Sequence, residues 1–242
     1  LTTGERNVAI GHGAFGSANG SESRNIAIGW NALATMDADG AGYNTAVGYN
    51  VGAGITSGIF NTLIGGLSGD ALNEGNHNVA VGYATLSDAL TTGFRNSILG
   101  YNAGGSMTIG NSNVAIGNLA LTANVAADRN VAIGVEALNS MTAATTVDTY
   151  NTAVGYAAGT AVTTGVRNTI MGSLAGDAMT TTSDNVAIGY EALTSATIGD
   201  GNVAIGNHAL YTNVAADRNV AIGYQALYLA TSASTVDSYN TA

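Results

Sequence analysis

The chain has 242 residues, 34 of them Gly and none Pro, Cys or Lys; 46% are hydrophobic, only 9% are charged, and sixteen acids outweigh six Arg for a net charge of −10. Without cysteine there is no disulfide framework, thiolate metal site or thiol nucleophile, and without proline or glycine at every third position there is no collagen helix. The acidic balance argues against nucleic acid and anionic membrane as partners, the apolar content against a charged disordered tail, and the constant interruption of apolar stretches by Gly, Asn or Thr against membrane insertion.

Along the chain a five-residue phrase, Asn-x-x-x-Gly, begins at Asn7, Asn25, Asn44, Asn61, Asn78, Asn96, Asn113, Asn130, Asn151, Asn168, Asn185, Asn202 and Asn219. A fourteenth copy, Asn240-Thr241-Ala242, is incomplete. The spacing is 17 to 19 residues, with two steps of 21 after Asn130 and Asn219. The first variable position is Val, Ile, Thr or Ser and the third is large and apolar, as at Ile10, Val47, Leu99 and Met171. Side chains alternate along a strand, so these two positions share one face and the middle position, Ala in ten copies, takes the other. Apolar residues on both faces predict a strand buried on both sides. A short second segment follows each Gly, such as Trp30-Asn31-Ala32-Leu33. Two short strands and two tight turns per phrase predict one coil of a parallel β-solenoid. Stacked at ~4.8 Å, about 14 coils of 17–21 residues form a rod ~65 Å long. Asn suits the start of each phrase because its amide can bond along the stack, and Gly suits the corner because it reaches positive φ.

Two coil types occur. Eight copies place Leu or Phe four residues after the Gly: Phe15, Leu33, Leu86, Leu121, Leu138, Leu193, Leu210 and Leu227. Five place Gly there (Gly52, Gly69, Gly104, Gly159, Gly176), and three of those carry Leu63, Ile98 or Ile170 at the middle of the strand, so volume lost on one side is regained on the other. A longer duplication is superimposed, with units 44–150 and 151–239; Asn124 to Gly134 is identical to Asn213 to Gly223. The whole of 1–242 is therefore expected to be a single repetitive segment, able to gain or lose a coil. Leu1-Thr2-Thr3-Gly4 matches Leu90-Thr91-Thr92-Gly93, so the chain is expected to begin, and likewise to end, inside a coil of a longer protein.

Runs such as Arg6-Asn7-Val8-Ala9-Ile10-Gly11 and Ser112-Asn113-Val114-Ala115-Ile116-Gly117 resemble the head repeats of YadA-like trimeric autotransporter adhesins, and equally the β-roll repeats of bacteriophage tail fibres. The resemblance covers essentially the whole chain. It implies a left-handed parallel β-roll with three chains side by side, outside the cell, at a cell surface or on a virion tail. Coils of 17 residues or more and the Gly type depart from the adhesin pattern. The residues support a homotrimer independently: a thin roll whose strand is apolar on its outer face exposes a strip that needs a partner. The alternative is a wider monomeric solenoid that buries both faces.

No constellation for catalysis, cofactor binding or metal binding is found, and no enzyme is expected. His12, His77 and His208 fall in different columns of the coil. Asp37-Ala38-Asp39-Gly40 and the matched pair Asp70 and Asp177 lack the alternating oxygens and distal Glu of a calcium loop. Gly65-Gly66 and Gly104-Gly105 read as corners, since no Lys exists to serve a phosphate loop. Two columns stand out. Every Arg (Arg6, Arg24, Arg95, Arg129, Arg167, Arg218) directly precedes a phrase Asn, in a column shared with Tyr43, Phe60, His77, Tyr150 and Tyr239. Guanidinium and ring then alternate, as in Arg129, Tyr150 and Arg167, which suits cation–π stacking, with Glu5, Asp128 and Asp217 alongside to lessen repulsion between stacked Arg. The second column follows each phrase Gly: His12, Trp30, Tyr49, Tyr83, Tyr101, Tyr156, Tyr190 and Tyr224. It reads first as a stacking ladder and second as a stripe for a host-surface glycan. The expected function is an extracellular structural or adhesive fibre segment that carries a receptor-binding tip on a rigid shaft or head. The alternative is a self-assembling filament or surface-layer subunit. Ice binding would need a flat Thr array, which Thr45, Thr62, Thr152, Thr169 and Thr241 do not supply.

Overall fold

The computed structural model describes residues 4–18, 20–37, 40–87, 92–143, 145–197, 199–229, 236–237 and 239–242. Among them the chain is all-β, without helix. Thirteen three-residue strands, from Val8–Ile10 and Ile26–Ile28 to Val203–Ile205 and Val220–Ile222, form one parallel sheet in which each strand pairs with the next phrase of the chain. Register is kept throughout: Ala9 opposes Ala27, Ala46 opposes Leu63, and Ala204 opposes Ala221. Each phrase is therefore one rung of a parallel β-solenoid. The thirteen rungs enclose about twelve turns, fewer than the fourteen coils expected, because the incomplete last copy adds only an isolated bridge between Val220 and Thr241. Twelve steps at the interstrand spacing make a rod about 58 Å long.

The second strand of each coil is not formed. Asn31 and Leu33 sit at φ of 51° and 50°, and Asn50, Leu86, Leu121 and Leu138 repeat the same conformation in their coils. Alternate left-handed residues bend the segment into a continuous turn that has no strand pleat. The stack is still satisfied: Asn31 N donates to His12 O of the preceding coil (2.9 Å), and Leu33 N donates to Val51 O of the following one (3.0 Å). The 21-residue coils add lateral pairing, Ala127–Asp128 with Val147–Asp148 and Ala216–Asp217 with Val236–Asp237, and an isolated bridge joins Ser23 to Ala41.

The interior is narrow. The phrase Asn, the mid-strand Ala, the Ala-Leu pair of the turn and one further residue such as Met36, Ile55, Met107 or Met141 are buried. Leu33 and Ala27 thus face the same core from opposite walls, and the expected volume exchange is visible across it. A Cβ on Gly52 would lie 3.0 Å from both Leu33 Cδ2 and Leu63 Cδ1; one on Gly69 would lie 3.0 Å from Leu63 Cδ1, and one on Gly159 2.8 Å from Ile170 Cδ1. Leu63 fills what two Gly-type coils leave open. Leu63→Ala is accordingly expected to cost about 2–5 kcal/mol in chemical denaturation, because the turn on the facing wall carries no side chain that could close the cavity.

The phrase ends are fixed by backbone proximity. Gly11, Gly29 and the equivalent Gly of every later phrase lie at φ of 123° to 147°. From Gly11 to Gly206 a Cβ would fall 2.0–2.5 Å from the carbonyl oxygen of the same Gly one coil on. At the phrase starts, buried Asn side chains form a ladder: Asn61 Nδ2 donates to Asn44 Oδ1 at 3.1 Å and to Gly75 O at 2.8 Å.

Candidate interaction surface

The expectation that the strand is buried on both faces is corrected by the single chain. The middle position is buried in every rung after the first, whereas the first and third positions are half-buried or exposed; Ile10 is 58%, Leu99 47% and Met171 45% exposed. A roll this narrow has room inside for one side chain per strand, so the β-branched face turns outward. Every rung repeats it, so the exposed residues fuse into one axial strip.

The two ring columns flank this strip. In the column before the phrase Asn, every residue is at positive φ, from Arg6 (60°) to Tyr239 (48°), including Arg, Tyr, Phe and His that rarely adopt it. The kink turns these side chains outward and stacks them. Arg24 lies over Tyr43 (5.3 Å), Tyr43 stacks on Phe60 (5.1 Å), and Phe60 stacks on His77 (4.9 Å). Arg129 lies over Tyr150 (5.6 Å) and Arg218 over Tyr239 (5.8 Å). Arg129 also pairs with Asp148, which accepts from Tyr150 Oη at 2.9 Å. Arg167 departs from the expected alternation. It turns to Asp184 of the next coil, with Nε 2.6 Å from Oδ1 and Nη2 2.7 Å from Oδ2. This hydrogen bond and charge hold the Asp184 carboxyl below its ordinary value. The pair's contribution is thus complete above the ordinary aspartate range and fades as pH falls through the lowered value; with both side chains about half exposed it contributes little. Asp128 and Asp217 each cap a backbone N–H of the preceding coil, at Asn111 (2.6 Å) and Asp200 (2.8 Å).

The column after the phrase Gly is discontinuous. His12 stacks on Trp30 (4.3 Å) and Tyr83 on Tyr101 (5.8 Å), while Gly66, Asn118, Val135, Ser173 and Asn207 interrupt the row. Tyr49, Tyr83, Tyr101 and Tyr156 stand exposed beside the strip.

The three histidines stay apart, each against the rings of its own coil neighbours. His208 belongs to a cluster that reading column by column misses, because it crosses columns: Tyr190, Glu191, Tyr211 and Tyr228 surround it. Asp177, one coil further toward the N-terminus, is raised from its ordinary value, chiefly by desolvation; Glu191 adds to the rise, and backbone and Thr194 hydrogen bonds oppose it. Its sign is opposite to that of Asp184: stability is gained as pH falls through the raised value. Asp70 sits in the matching place six coils earlier, so the two are not brought together. Ala38 and Asp39 of the other acidic run, and Leu1 to Thr3, Leu90 and Thr91 of the terminal match, lie outside the described residues. Gly65 and Gly104 occupy corners, at φ of 123° and 57°. Among the described residues no group of three or more His, Cys, Asp or Glu is placed to hold a metal ion, and no helix is long and apolar enough to cross a membrane.

The chain matches no protein-family model, no curated protein and no solved structure.

Proposed function

We propose that the chain is a rigid segment of an extracellular trimeric fibre: the shaft or head of a cell-surface adhesin or a virion tail fibre, wound as a left-handed roll, that holds a receptor-binding tip away from its anchor. The observation that carries this reading is the outward apolar strip. With its ring columns it is about 58 Å long and about 15 Å across, on the order of 900 Å². Soluble monomers rarely leave a contiguous apolar patch of more than a few hundred Å² uncovered. Like positions recur at every rung, so copies laid side by side in parallel meet the same residues along their whole length. A closed ring of three leaves no strip unpaired, which an open filament does not achieve.

The reading is tested by light scattering on the purified chain. The expected mass is three times 24.0 kDa. Leu99→Asp combined with Ile116→Asp, both on the exposed face, is expected to yield monomers with an unchanged β spectrum. A compact wild-type monomer overturns the proposal, and polymers of indefinite length favour end-to-end stacking of coils as in a filament or surface layer.

A further inference from the structure

The internal duplication allows one coil to be compared with its own copy. Residues 113–129 and 202–218 agree at fourteen of seventeen positions, and none of the three differences is at a buried position. Two of them introduce rings: His208 stands where the first unit has Leu119, and Tyr211 where it has Thr122. In the next coil Tyr224 replaces Val135 and Tyr228 replaces Asn139, and in the previous one Glu191 takes the place of Asn102. Four of these changes, at Glu191, His208, Tyr211 and Tyr228, are scattered in sequence but adjacent in space.

The rod brings them to one corner. Tyr211 and Tyr228 stack with centroids 5.0 Å apart and planes 3° from parallel. His208 meets Tyr211 edge-on at 5.2 Å, Tyr228 at 6.1 Å and Tyr190 at 5.6 Å. Its Nε2 lies 3.1 Å from Glu191 Oε2, though not aligned for a hydrogen bond, and Nδ1 has no hydrogen-bond partner among the described residues. The Tyr190 phenol is held above its ordinary value by its hydrogen bond to Glu191 and by that carboxylate's charge. The first unit builds the same coils with Leu119, Thr122 and Asn139, so the fold does not need the rings.

From this we infer that the corner formed by Tyr190, Glu191, His208, Tyr211 and Tyr228 is a binding site for neutral glycans. Aromatic rings offer flat apolar surface to the C–H face of a pyranose, and a carboxylate with an imidazole beside it can accept from and donate to neighbouring sugar hydroxyls. The charge selects among glycans. Glu191 and Asp177 are acidic and every Arg of the chain lies in the column before a phrase Asn, on the other side of the strand, so sialylated or sulphated chains meet repulsion. Tyr190 stands in the ring column beside the strip, whereas Glu191, His208, Tyr211 and Tyr228 lie further past the corners at Gly189 and Gly206, outside both ring columns.

The test is a printed array of neutral hexose and N-acetylhexosamine oligosaccharides alongside sialylated and sulphated ones, probed with the full chain. The comparison variant is His208→Leu/Tyr211→Thr/Tyr228→Asn, which installs the residues that the first unit already tolerates. Neutral glycans are expected to bind, and the triple variant to lose about tenfold or more in affinity with an unchanged melting curve. Absence of any glycan signal, preference for the anionic glycans, or binding that the triple variant leaves intact overturns the inference, as does retention on cell-surface protein that survives removal of its glycans.

Discussion

Gly82→Ala is expected to cost about 3–5 kcal/mol and to open the coils on both sides of it, although the added group is one methyl. Gly82 lies at φ 142°, in a region that L side chains rarely adopt, and its Cβ would sit 2.0 Å from Gly100 O and 2.8 Å from Gly100 C. Those atoms are backbone of the next rung, so relief requires the rungs to separate and the pairing of Val79–Val81 with Ser97–Leu99 to stretch. The control is Gly66→Ala, one residue past the preceding corner, where the nearest atom is Tyr83 Cδ2 at 3.4 Å and φ is not positive. It is expected to lie within about 1 kcal/mol of wild type. Because a solenoid's stability is a sum over neighbouring units, the damage is read best by amide hydrogen exchange, as faster exchange confined to the rungs around Gly82. Equal melting of the two variants would show that the glycine row is compositional and not steric.

How far the fold can be read from residue types follows from the same geometry. Asn at the start and Gly at the end of each phrase recur at fixed spacing, and each has one physical reason to be there, so coil length, strand position and register were all legible. Leu33 was not. A Leu following Ala reads as a strand residue, yet at φ 50° it is part of a turn, and residue preferences point away from that conformation. The cost is offset by cooperation between coils, since each turn donates both up and down the stack, a property of the assembly that no single coil carries. The same holds for Arg6, Phe60 and Tyr150, whose column was legible but whose left-handed backbone was not. The face of the strand was misassigned for a different reason. Apolar residues on both sides imply burial on both sides, but a single chain buries only the side with Ala and leaves the other half-buried or exposed. The His208 cluster lay hidden because stacking arguments follow columns, and its members come from three of them. Setting the two long units against each other is the signal that exposes it.

Asn78→Ala is expected to be nearly as damaging as the glycine change, at about 3–5 kcal/mol, through loss of hydrogen bonds and not through packing. Asn78 is fully buried. Its Oδ1 accepts from Asn96 N (3.0 Å) and Asn96 Nδ2 (3.1 Å), and its Nδ2 donates to Asn61 Oδ1 (3.2 Å) and Gly93 O (2.9 Å). Truncation leaves the buried Asn96 N–H without its acceptor. Asn78→Asp separates the two halves of this role. The carboxylate still accepts from Asn96 but confronts Asn61 Oδ1 and Gly93 O with like charge, so folding favours its protonated form and its folded pKa lies above the unfolded value of ~3.9. The deficit of the Asp variant relative to wild type is therefore smallest below that unfolded value, where the acid O–H can donate to Asn61 or Gly93, and grows as pH rises through the folded pKa. Denaturation midpoints measured at about pH 4 and about pH 7 should diverge for this variant far more than for wild type. At the 21-residue step after Asn130 the row continues in altered form: Asn130 Oδ1 still accepts from Asn151 N (3.1 Å) and takes a second hydrogen bond from Thr149 Oγ1 (2.8 Å), while Asn151 Nδ2 donates to Gly165 O (2.8 Å). An Asn78→Asp variant whose stability tracked wild type across this pH range would mean that the buried amide row is incidental to the stack.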